Sequence, residues 1–285
     1  MMSKEEIYNL FNQLYKKKGK YITFSEVCKE VKCCEKTFRK WMKAVDAFDN
    51  CPDVFRQIMK TIHCFDTITS ESAYWIGYLL ADGCYTTNSA ANGYRLMLEC
   101  KTDDVEILEK FCDFVGIRQD RISIGHQNKS RALSLADSNF STSVSKYGIT
   151  QNKSHHENHV PQEIYKNDEF FLQFLKGLID GDGTIHISPA SRGISIVSNS
   201  QELLQEIKNK LEILLPYPNS IWLMTKPQDA IRLATQDLYV LKIGVGKTLN
   251  NLSYLYHHFY DNHPIILTRK EQSLKNIVLE TTGSL

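Results

Sequence analysis

Two aspartates in this sequence stand in nearly the same local context. Asp82 and Asp182 lie 100 residues apart, and each follows an apolar segment and precedes a glycine. Two carboxylates that are brought together repel each other, which costs free energy unless cations lie between them. Oxygen-only ligation favours Mg²⁺, which keeps several waters and takes one or two carboxylates together with a substrate phosphate. Metal ions shared between two acids and a phosphodiester suit in-line hydrolysis, so the pair predicts cleavage of nucleic acid.

The two aspartates belong to an internal repeat of ten residues. Residues 74–83 read YWIGYLLADG and residues 174–183 read FLKGLIDGDG, so glycine, aspartate and glycine recur at the same three positions. A glycine inside an apolar helix costs about 1 kcal/mol relative to alanine. Close approach of two helices would give Gly77 and Gly177 a reason to be there. Such packing would also bring the C-terminal ends of both segments, and hence both aspartates, together.

The elements that follow each copy repeat as well. Patterns of apolar residues predict the order αββαββα for each half. The predicted strands lie at 84–87, 94–101, 121–127 and 131–136 in the first half and at 184–188, 193–198, 221–226 and 231–236 in the second, with helices over 103–115 and 200–214. The expected fold class is α+β, with two halves related by a pseudo-two-fold axis and a small all-α N-terminal domain. The predicted boundaries are 1–50 for that domain, 51–165 for the first half and 166–285 for the second.

The first 46 residues are basic, although the whole chain carries a formal charge of only +1. They hold 11 Lys and Arg residues against 6 Asp and Glu residues, a balance of +5 that favours contact with a polyanion. Two short helices joined by a tight turn are similar to a helix-turn-helix, whose second helix enters the DNA major groove. The alternative is a small helical bundle with a solvated basic face. The candidate DNA contacts on the second helix are Lys36, Thr37, Arg39 and Lys40.

Composition excludes several classes of protein. With 42% hydrophobic and 24% charged residues, the chain is neither disordered nor of low complexity. The eight cysteines lack the spacing of a disulfide framework, so we expect reduced thiols. No apolar stretch approaches the ~20 residues that cross a bilayer. These features predict an intracellular protein without a membrane partner.

The two decapeptides resemble the signature of the LAGLIDADG homing endonucleases, in the single-chain form where two copies build a pseudo-dimer. The second copy is close to the pattern, whereas the first departs from it at Trp75, Tyr78 and Leu80. The resemblance covers roughly residues 65–280. It implies a monomer that lays a saddle of antiparallel strands across double-stranded DNA and cleaves both strands with Mg²⁺ or another divalent cation such as Mn²⁺. It also associates the chain with introns and mobile elements.

The resemblance assigns roles to particular residues. The last acid of each motif, here Asp82 and Asp182, binds the catalytic metals in that family. Family members often add a Lys or Gln near the fourth strand of each half, for which Gln236 is the nearest candidate and Lys226 an alternative. The first half has neither residue type there, and Lys153 in the following linker is a substitute candidate. The competing interpretation of Lys153 is an exposed linker lysine.

Alternation along the strands supplies candidate DNA contacts. Polar residues on one face of each predicted sheet alternate with apolar residues on the other. The candidates are Arg95, Lys101, Thr184, His186 and Ser188. Near the C-terminus, Arg269 and Lys270 are predicted to lie on a solvated helix face.

A second hypothesis is a catalytically inactive LAGLIDADG protein. It would act as a DNA-binding transcription regulator or as an RNA-splicing maturase. The departures in the first motif, and the missing Lys or Gln of the first half, favour this alternative. The two retained aspartates favour cleavage, because a binding protein has no use for a repulsive pair of acids.

Overall fold

The computed structural model describes residues 63–88, 93–125, 129–136, 138–153, 156–226, 237–244, 250–261, 263 and 265–282, together with 29, 30 and 32. Nearly all of the predicted N-terminal domain, with Lys36, Thr37, Arg39 and Lys40, lies outside these residues, as does Gln236. The chain divides into two compact units, one of residues 1–64 and 111–121 and one of residues 65–110 and 122–285. No helix among the described residues is long and apolar enough to span a bilayer.

The described part of the smaller unit is short. Its residues 111–115 end a helix, Gly116 follows with a φ of 72°, and Gln119–Arg121 form a single 3₁₀ turn. Arg118 pairs with Asp120 in this segment. Apart from the end of this helix, the elements and contacts described below lie in the larger unit.

Both halves show the predicted order of elements. The first consists of α1 (Ser70–Asp82), β1 (Cys84–Asn88), β2 (Gly93–Lys101), α2 (Glu106–Val115), β3 (Ser123–Ile124), β4 (Ser130–Leu135) and α3 (Ser138–Ser145). The linker contains α4 (Gln162–Lys166). The second half consists of α5 (Asp168–Asp182), β5 (Gly183–His186), β6 (Gly193–Ser198), α6 (Gln201–Leu214), β7 (Ile221–Lys226), β8 (Leu238–Ile243) and α7 (Asn250–Tyr260), and α8 (Thr268–Thr282) follows it.

Each half contains one four-stranded antiparallel sheet. The strand orders are β1-β2-β4-β3 and β5-β6-β8-β7, so the two sheets have the same topology. This confirms the α+β fold with two related halves. The largest differences from the predicted strands are in β3, which is only two residues long, and in the strand that pairs with both β6 and β7, which is Leu238–Ile243. Residues 231–236, where this strand was predicted, lie outside the described residues.

The two motif helices, α1 and α5, pack backbone against backbone. A Cβ atom added to Gly177 would lie 2.0 Å from the carbonyl oxygen of Tyr74, and one added to Gly77 would lie 2.1 Å from that of Phe174. Any larger side chain at either position would collide with the opposite main chain. The close approach predicted from the two glycines is therefore confirmed.

Capping groups fix where the motif helices begin. The Thr69 side chain accepts a hydrogen bond from the backbone N–H of Ser72, and the Ser72 side chain in turn accepts one from the backbone N–H of Thr69. Asn167 caps α5 by accepting from the N–H of Phe170 at 3.1 Å. Because the helices start at fixed residues and are held together at their glycines, their last residues are placed with little freedom.

Candidate functional site

Asp82 and Asp182 meet where the two motif helices end. Asp82 is the last residue of α1 and Asp182 is the last residue of α5. A Cβ atom on Gly181 would lie 3.5 Å from the carboxyl carbon of Asp82, and both aspartates line the same two cavities. The structure thus brings together one acid from each half.

The two cavities lie against the same pair of acids but contain different lysines. The larger, of about 670 Å³, is lined by Lys153 together with residues of β1 and β6. The smaller, of about 460 Å³, is lined by Lys270 and Arg269 together with Lys101 and Thr184. Each cavity therefore combines the shared carboxylates with a cation of its own.

The environment of the aspartates favours their neutral forms. Burial and the negative charge of Asp182 raise the pKa of Asp82 to about 6, against which the nearby lysines and the Tyr78 hydroxyl act. Partial burial also raises the pKa of Asp182, while Lys153 and Lys270 oppose the shift. At neutral pH two negative charges are held together at a free-energy cost, which a bound cation would relieve.

The donor set fits a hard divalent cation. Mg²⁺ takes one or two carboxylates and completes its shell with water and phosphate oxygens. Among the described residues, no group of three or more His, Cys, Asp or Glu is placed to hold a metal ion, so a closed zinc-type site has no ligand set there. Asp82 and Asp182 are the acids that line both cavities.

The other acid of the second motif, Asp180, has a different role. Its carboxylate accepts hydrogen bonds from Lys176 Nζ and from the Tyr74 hydroxyl, both at 2.9 Å, and both partners are buried. The charge of Asp180 is thus neutralised inside the helix pair. Leu80 occupies the corresponding position of the first motif, so this departure from the family pattern leaves Asp82 in place.

Lys153 closes the C-terminal end of α1. Its Nζ donates hydrogen bonds to the carbonyl oxygens of Leu79 at 3.2 Å, Ala81 at 2.5 Å and Leu80. The last carbonyls of a helix lack partners within the helix, so the lysine satisfies them. Burial lowers its pKa to about 8, although Asp182 and Asp82 favour the charged form. The interpretation of Lys153 as an exposed linker lysine is wrong.

Lys270 does the same for α5. It is 4% exposed, and its Nζ donates to the carbonyl oxygens of Asp180 at 2.6 Å, Gly181 at 3.2 Å and Gly183 at 3.0 Å, as well as Ile179. Burial lowers its pKa. The predicted solvated face holds for Arg269 but is wrong for Lys270. The signal that sequence reasoning missed is that Lys270 lies on the apolar stripe of α8, in step with the buried Leu267, Leu274 and Ile277.

The other predicted assisting residue lies elsewhere. Lys226 is the exposed last residue of β7 and lines neither cavity. A side chain near the fourth strand was expected because the family pattern places one there. In this chain the lysines at the aspartates come instead from the linker and from α8.

The predicted strand contacts occupy one face of each sheet. Arg95 and Lys101 alternate along β2 with the buried Leu96 and Leu98, and Arg95 stands opposite Thr86 of β1. Thr184 and His186 occupy the corresponding face of β5, where His186 Nε2 lies 2.8 Å from the hydroxyl of Ser195. Ser188 lies beyond the end of β5, so its predicted place within the strand is wrong.

The face of the second sheet that carries Thr184 and His186 also carries exposed apolar side chains. These were not among the predicted contacts. Trp222 and Met224 of β7 are 43% and 45% exposed. Trp222 stands opposite Lys242 of β8. This face therefore combines cationic, hydroxyl and aromatic groups.

The raised pKa of Asp82 predicts a pH-dependent stability. Between about pH 4 and pH 6 the folded protein holds a proton that the unfolded chain has released, so the unfolding free energy falls as pH rises through this window. The shift is worth up to about 3 kcal/mol. Asp82→Asn should therefore stabilise the metal-free protein by up to about 3 kcal/mol at pH 8, and the gain should shrink toward pH 4.

Calorimetric melting in a chelator at both pH values measures this effect. Asp103→Asn, a substitution of an exposed aspartate outside both cavities, is the control and should change stability by less than about 0.5 kcal/mol. An Asp82→Asn protein that melts below wild type at pH 8 would contradict the proposed repulsion.

Part of the second half is similar to a known protein family. The family model described as a LAGLIDADG-like domain matches residues 169–216. The matched region includes most of α5, with Gly177 and Asp182, and continues through α6.

Several solved structures are similar to the chain. They include the I-LtrWI LAGLIDADG homing endonuclease bound to target DNA, with a TM-score of 0.44 and 13% identity over 75% of this chain and 92% of that one. The homing endonuclease I-WcaI bound to its DNA recognition sequence gives a TM-score of 0.41 and 13% identity over 84% and 97%. Full-length DUF199/WhiA from Thermatoga maritima gives 0.44 and 12% over 78% and 65%. Comparison with curated protein sequences finds no significant match.

Proposed function

We propose that this protein is a site-specific endonuclease that hydrolyses both strands of double-stranded DNA with Mg²⁺ or another divalent cation such as Mn²⁺. The observation that carries the proposal is the convergence of Asp82 and Asp182, one from each half, between two cavities that each contain a lysine. A purely structural protein gains nothing from this repulsive pair. The two cavities match a substrate with two phosphodiester strands.

The residues of the site would have different roles in the reaction. Asp82 and Asp182 would hold the divalent cations, which when bound supply an activated water and stabilise the leaving oxygen. The Tyr78 hydroxyl lies near Asp82 and favours the charged form of its carboxylate. Lys153 and Lys270 place positive charge beside the acids, where the scissile phosphates would enter.

The lysines would also offset the negative charge that the fold concentrates at the site. Both motif helices direct their C-terminal ends, which carry partial negative charge, toward the two carboxylates. A phosphate would add further negative charge at the same place. Lys153 and Lys270 neutralise the helix ends, so that bound cations are available to the acids and the phosphate.

DNA would lie against the face of each sheet that carries the predicted strand contacts. Arg95, Lys101, Thr184 and His186 on these faces would contact phosphates and base edges. Ser188, in the turn after β5, would lie at the margin of this surface. The N-terminal residues Lys36, Thr37, Arg39 and Lys40 would add contacts from a helix-turn-helix.

The basic N-terminal segment should set much of the salt dependence of binding. Each lost phosphate contact reduces the slope of log K against log salt by about 0.9, so replacing Lys36, Arg39 and Lys40 together with glutamine should reduce it by up to about 3. Filter binding of the full chain over a salt series measures the slope. The control, with the same change in charge, replaces Lys146, Lys166 and Lys275. Equal slopes for the two variants would mean that the segment makes no specific phosphate contacts.

Cleavage itself can be tested on a library that contains many possible targets. The full chain is incubated with randomised duplexes in Mg²⁺ or in chelator, and newly formed ends are captured and sequenced. The proposal expects ends at one defined sequence, in both strands, only with the metal. Enrichment of bound duplexes without new ends would favour the second candidate function.

That second candidate is a LAGLIDADG protein that binds DNA or RNA without cutting, as a transcription regulator or an RNA-splicing maturase. The departures of the first motif from the family pattern favour it. However, Trp75, Tyr78 and Leu80 are all buried in the helix pair and leave Asp82 at the site. Lys153, which caps α1 beside Asp82, would serve in place of the missing first-half Lys or Gln. The endonuclease is therefore the better-supported function.

A further inference from the structure

The two lysines at the site lie on segments that are held in place by the opposite half of the protein. Lys153 follows α3 of the first half and caps α1, while Lys270 follows α7 of the second half and caps α5. Each lysine contacts the backbone of its own half. The segment that carries each lysine is instead hydrogen-bonded to the other half. We call these bonds the ties of the segment, and they involve different groups for the two lysines.

The segment that carries Lys270 is tied to the first half. Arg269 donates two hydrogen bonds to Asp104, from Nε to Oδ1 at 3.1 Å and from a terminal nitrogen to Oδ2 at 3.0 Å. Glu106 accepts from the backbone N–H of Thr268 at 2.6 Å and from its hydroxyl at 2.9 Å. Lys110 donates to the carbonyl of the preceding Ile266. Asp104 is buried, and both of its carboxylate oxygens bond to Arg269.

The segment that carries Lys153 is tied to the second half. The Ser200 hydroxyl, which caps α6, accepts a hydrogen bond from the backbone N–H of Asn158 at 2.9 Å. Asn158 is buried, and its side-chain amide donates to the carbonyl of Lys153 at 3.1 Å. The backbone N–H of Val160 donates to Glu206 of α6 at 2.7 Å. A short chain of bonds thus leads from α6 to the residue that caps α1.

These ties matter because the lysines cannot hold themselves in place. A buried ammonium bonded only to carbonyl oxygens pays a desolvation penalty, as the lowered pKa of both groups indicates. In an unanchored segment, each lysine would gain by turning into water. Its position at the aspartates therefore depends on the bonds that hold its segment.

We propose that Asp104 and Ser200 are positioning residues, each of which fixes from one half the lysine that serves the motif helix of the other. Asp104 fixes Lys270 through Arg269, and Ser200 fixes Lys153 through Asn158. Each cavity is then complete only when the two halves are docked correctly. For catalysis the inference rests on the proposed endonuclease function, whereas the placement of the lysines does not.

The test of placement measures the reactivity of the two amines. The full chain, without DNA, is acylated briefly with a water-soluble amine reagent, and the modification of Lys153 and Lys270 is quantified by peptide mass spectrometry. Asp104→Asn should increase the acylation rate of Lys270 about fivefold and leave Lys153 unchanged, since losing one partly exposed ion pair shifts a local equilibrium by roughly that factor. Ser200→Ala should do the reverse, and Ser200→Thr, which keeps the hydroxyl, should restore the wild-type rate.

The neighbouring exposed residue supplies the matched control. Asp103→Asn removes the same charge one position away and should change neither rate. If both lysines become more reactive in both variants, the substitutions merely loosen the fold, and the proposal is overturned. The same holds if neither rate changes in either variant.

Strand-specific cutting extends the test to catalysis. On a duplex labelled separately in each strand, Asp104→Asn should slow cutting of one strand and Ser200→Ala the other, so that nicked product accumulates in both cases. Equal slowing of both strands would overturn the catalytic part of the proposal. If the wild type cuts no DNA, the endonuclease function fails, while the acylation rates still decide whether Asp104 and Ser200 position the lysines.

Discussion

Gly177→Ala should destabilise the protein by about 2–4 kcal/mol. Alanine in a helix interior is ordinarily more stable than glycine by about 1 kcal/mol, so a loss has the opposite sign from helix propensity. The reason is the position of the added Cβ, 2.0 Å from the carbonyl oxygen of Tyr74. That atom belongs to the main chain of α1 and cannot rotate away, so the two helices must separate. Gly177→Leu should be worse, because it inserts three further carbons.

Urea denaturation at pH 7.5 measures the loss as a lower midpoint at unchanged slope. Gly77→Ala is a second variant with the same expectation, since its Cβ would lie 2.1 Å from the carbonyl of Phe174. Glu202→Ala, at an exposed position of α6, controls for the effect of alanine and should change stability by no more than about 0.5 kcal/mol. A Gly177→Ala protein as stable as wild type would show that the helices do not touch at this glycine.

Asp182→Asn should reduce DNA cleavage about 10³-fold or more while leaving DNA affinity within about threefold of wild type. Removing a metal-binding carboxylate loses several kcal/mol of transition-state stabilisation, and each 1.36 kcal/mol is a factor of ten in rate. Affinity should persist if, as proposed, the sheet faces and the N-terminal segment supply the binding contacts. Since both cavities share the two acids, both strands should be affected.

Single-turnover cleavage and equilibrium binding of the same duplex measure the two quantities separately. Asp103→Asn again serves as control and should cut at the wild-type rate. A parallel loss of binding and cutting in Asp182→Asn would point to a folding defect instead of a missing metal ligand. Cutting within twofold of wild type would remove Asp182 from the catalytic site.

Asp182→Asn should also change the titration of its neighbour. The negative charge of Asp182 is, after burial, the main reason that the pKa of Asp82 is raised. Removing that charge should lower the pKa of Asp82, which a carboxyl ¹³C titration by nuclear magnetic resonance would detect. This readout requires no cleavage, so it tests the proximity of the two acids even in an inactive protein.

Features that follow local rules or a repeat were predictable from the sequence. The ten-residue repeat identified both motif helices, the glycines at their contact and the aspartates at their ends. Alternation of apolar residues predicted β6 at 193–198 and β7 at 221–226, the bounds that the structure has. These features were predictable because they depend on residues that are close together in the sequence. Helices and strands show their periods in such a stretch, and a glycine within an apolar helix indicates close packing.

Which lysines lie beside the aspartates is visible only in the tertiary structure. Lys153 bonds to carbonyls more than 70 positions earlier in the chain, and Lys270 to carbonyls about 90 positions earlier. A long flexible side chain that caps a distant helix leaves no repeat and almost no periodic signal. Position near the fourth strand instead favoured Gln236, with Lys226 as the alternative. Burial of a lysine depends on what packs over it, which is a property of the assembled halves. The hydrogen bonds of Asp104 and Ser200 were not predictable for the same reason. They join residues of different halves, which come together only in the folded protein.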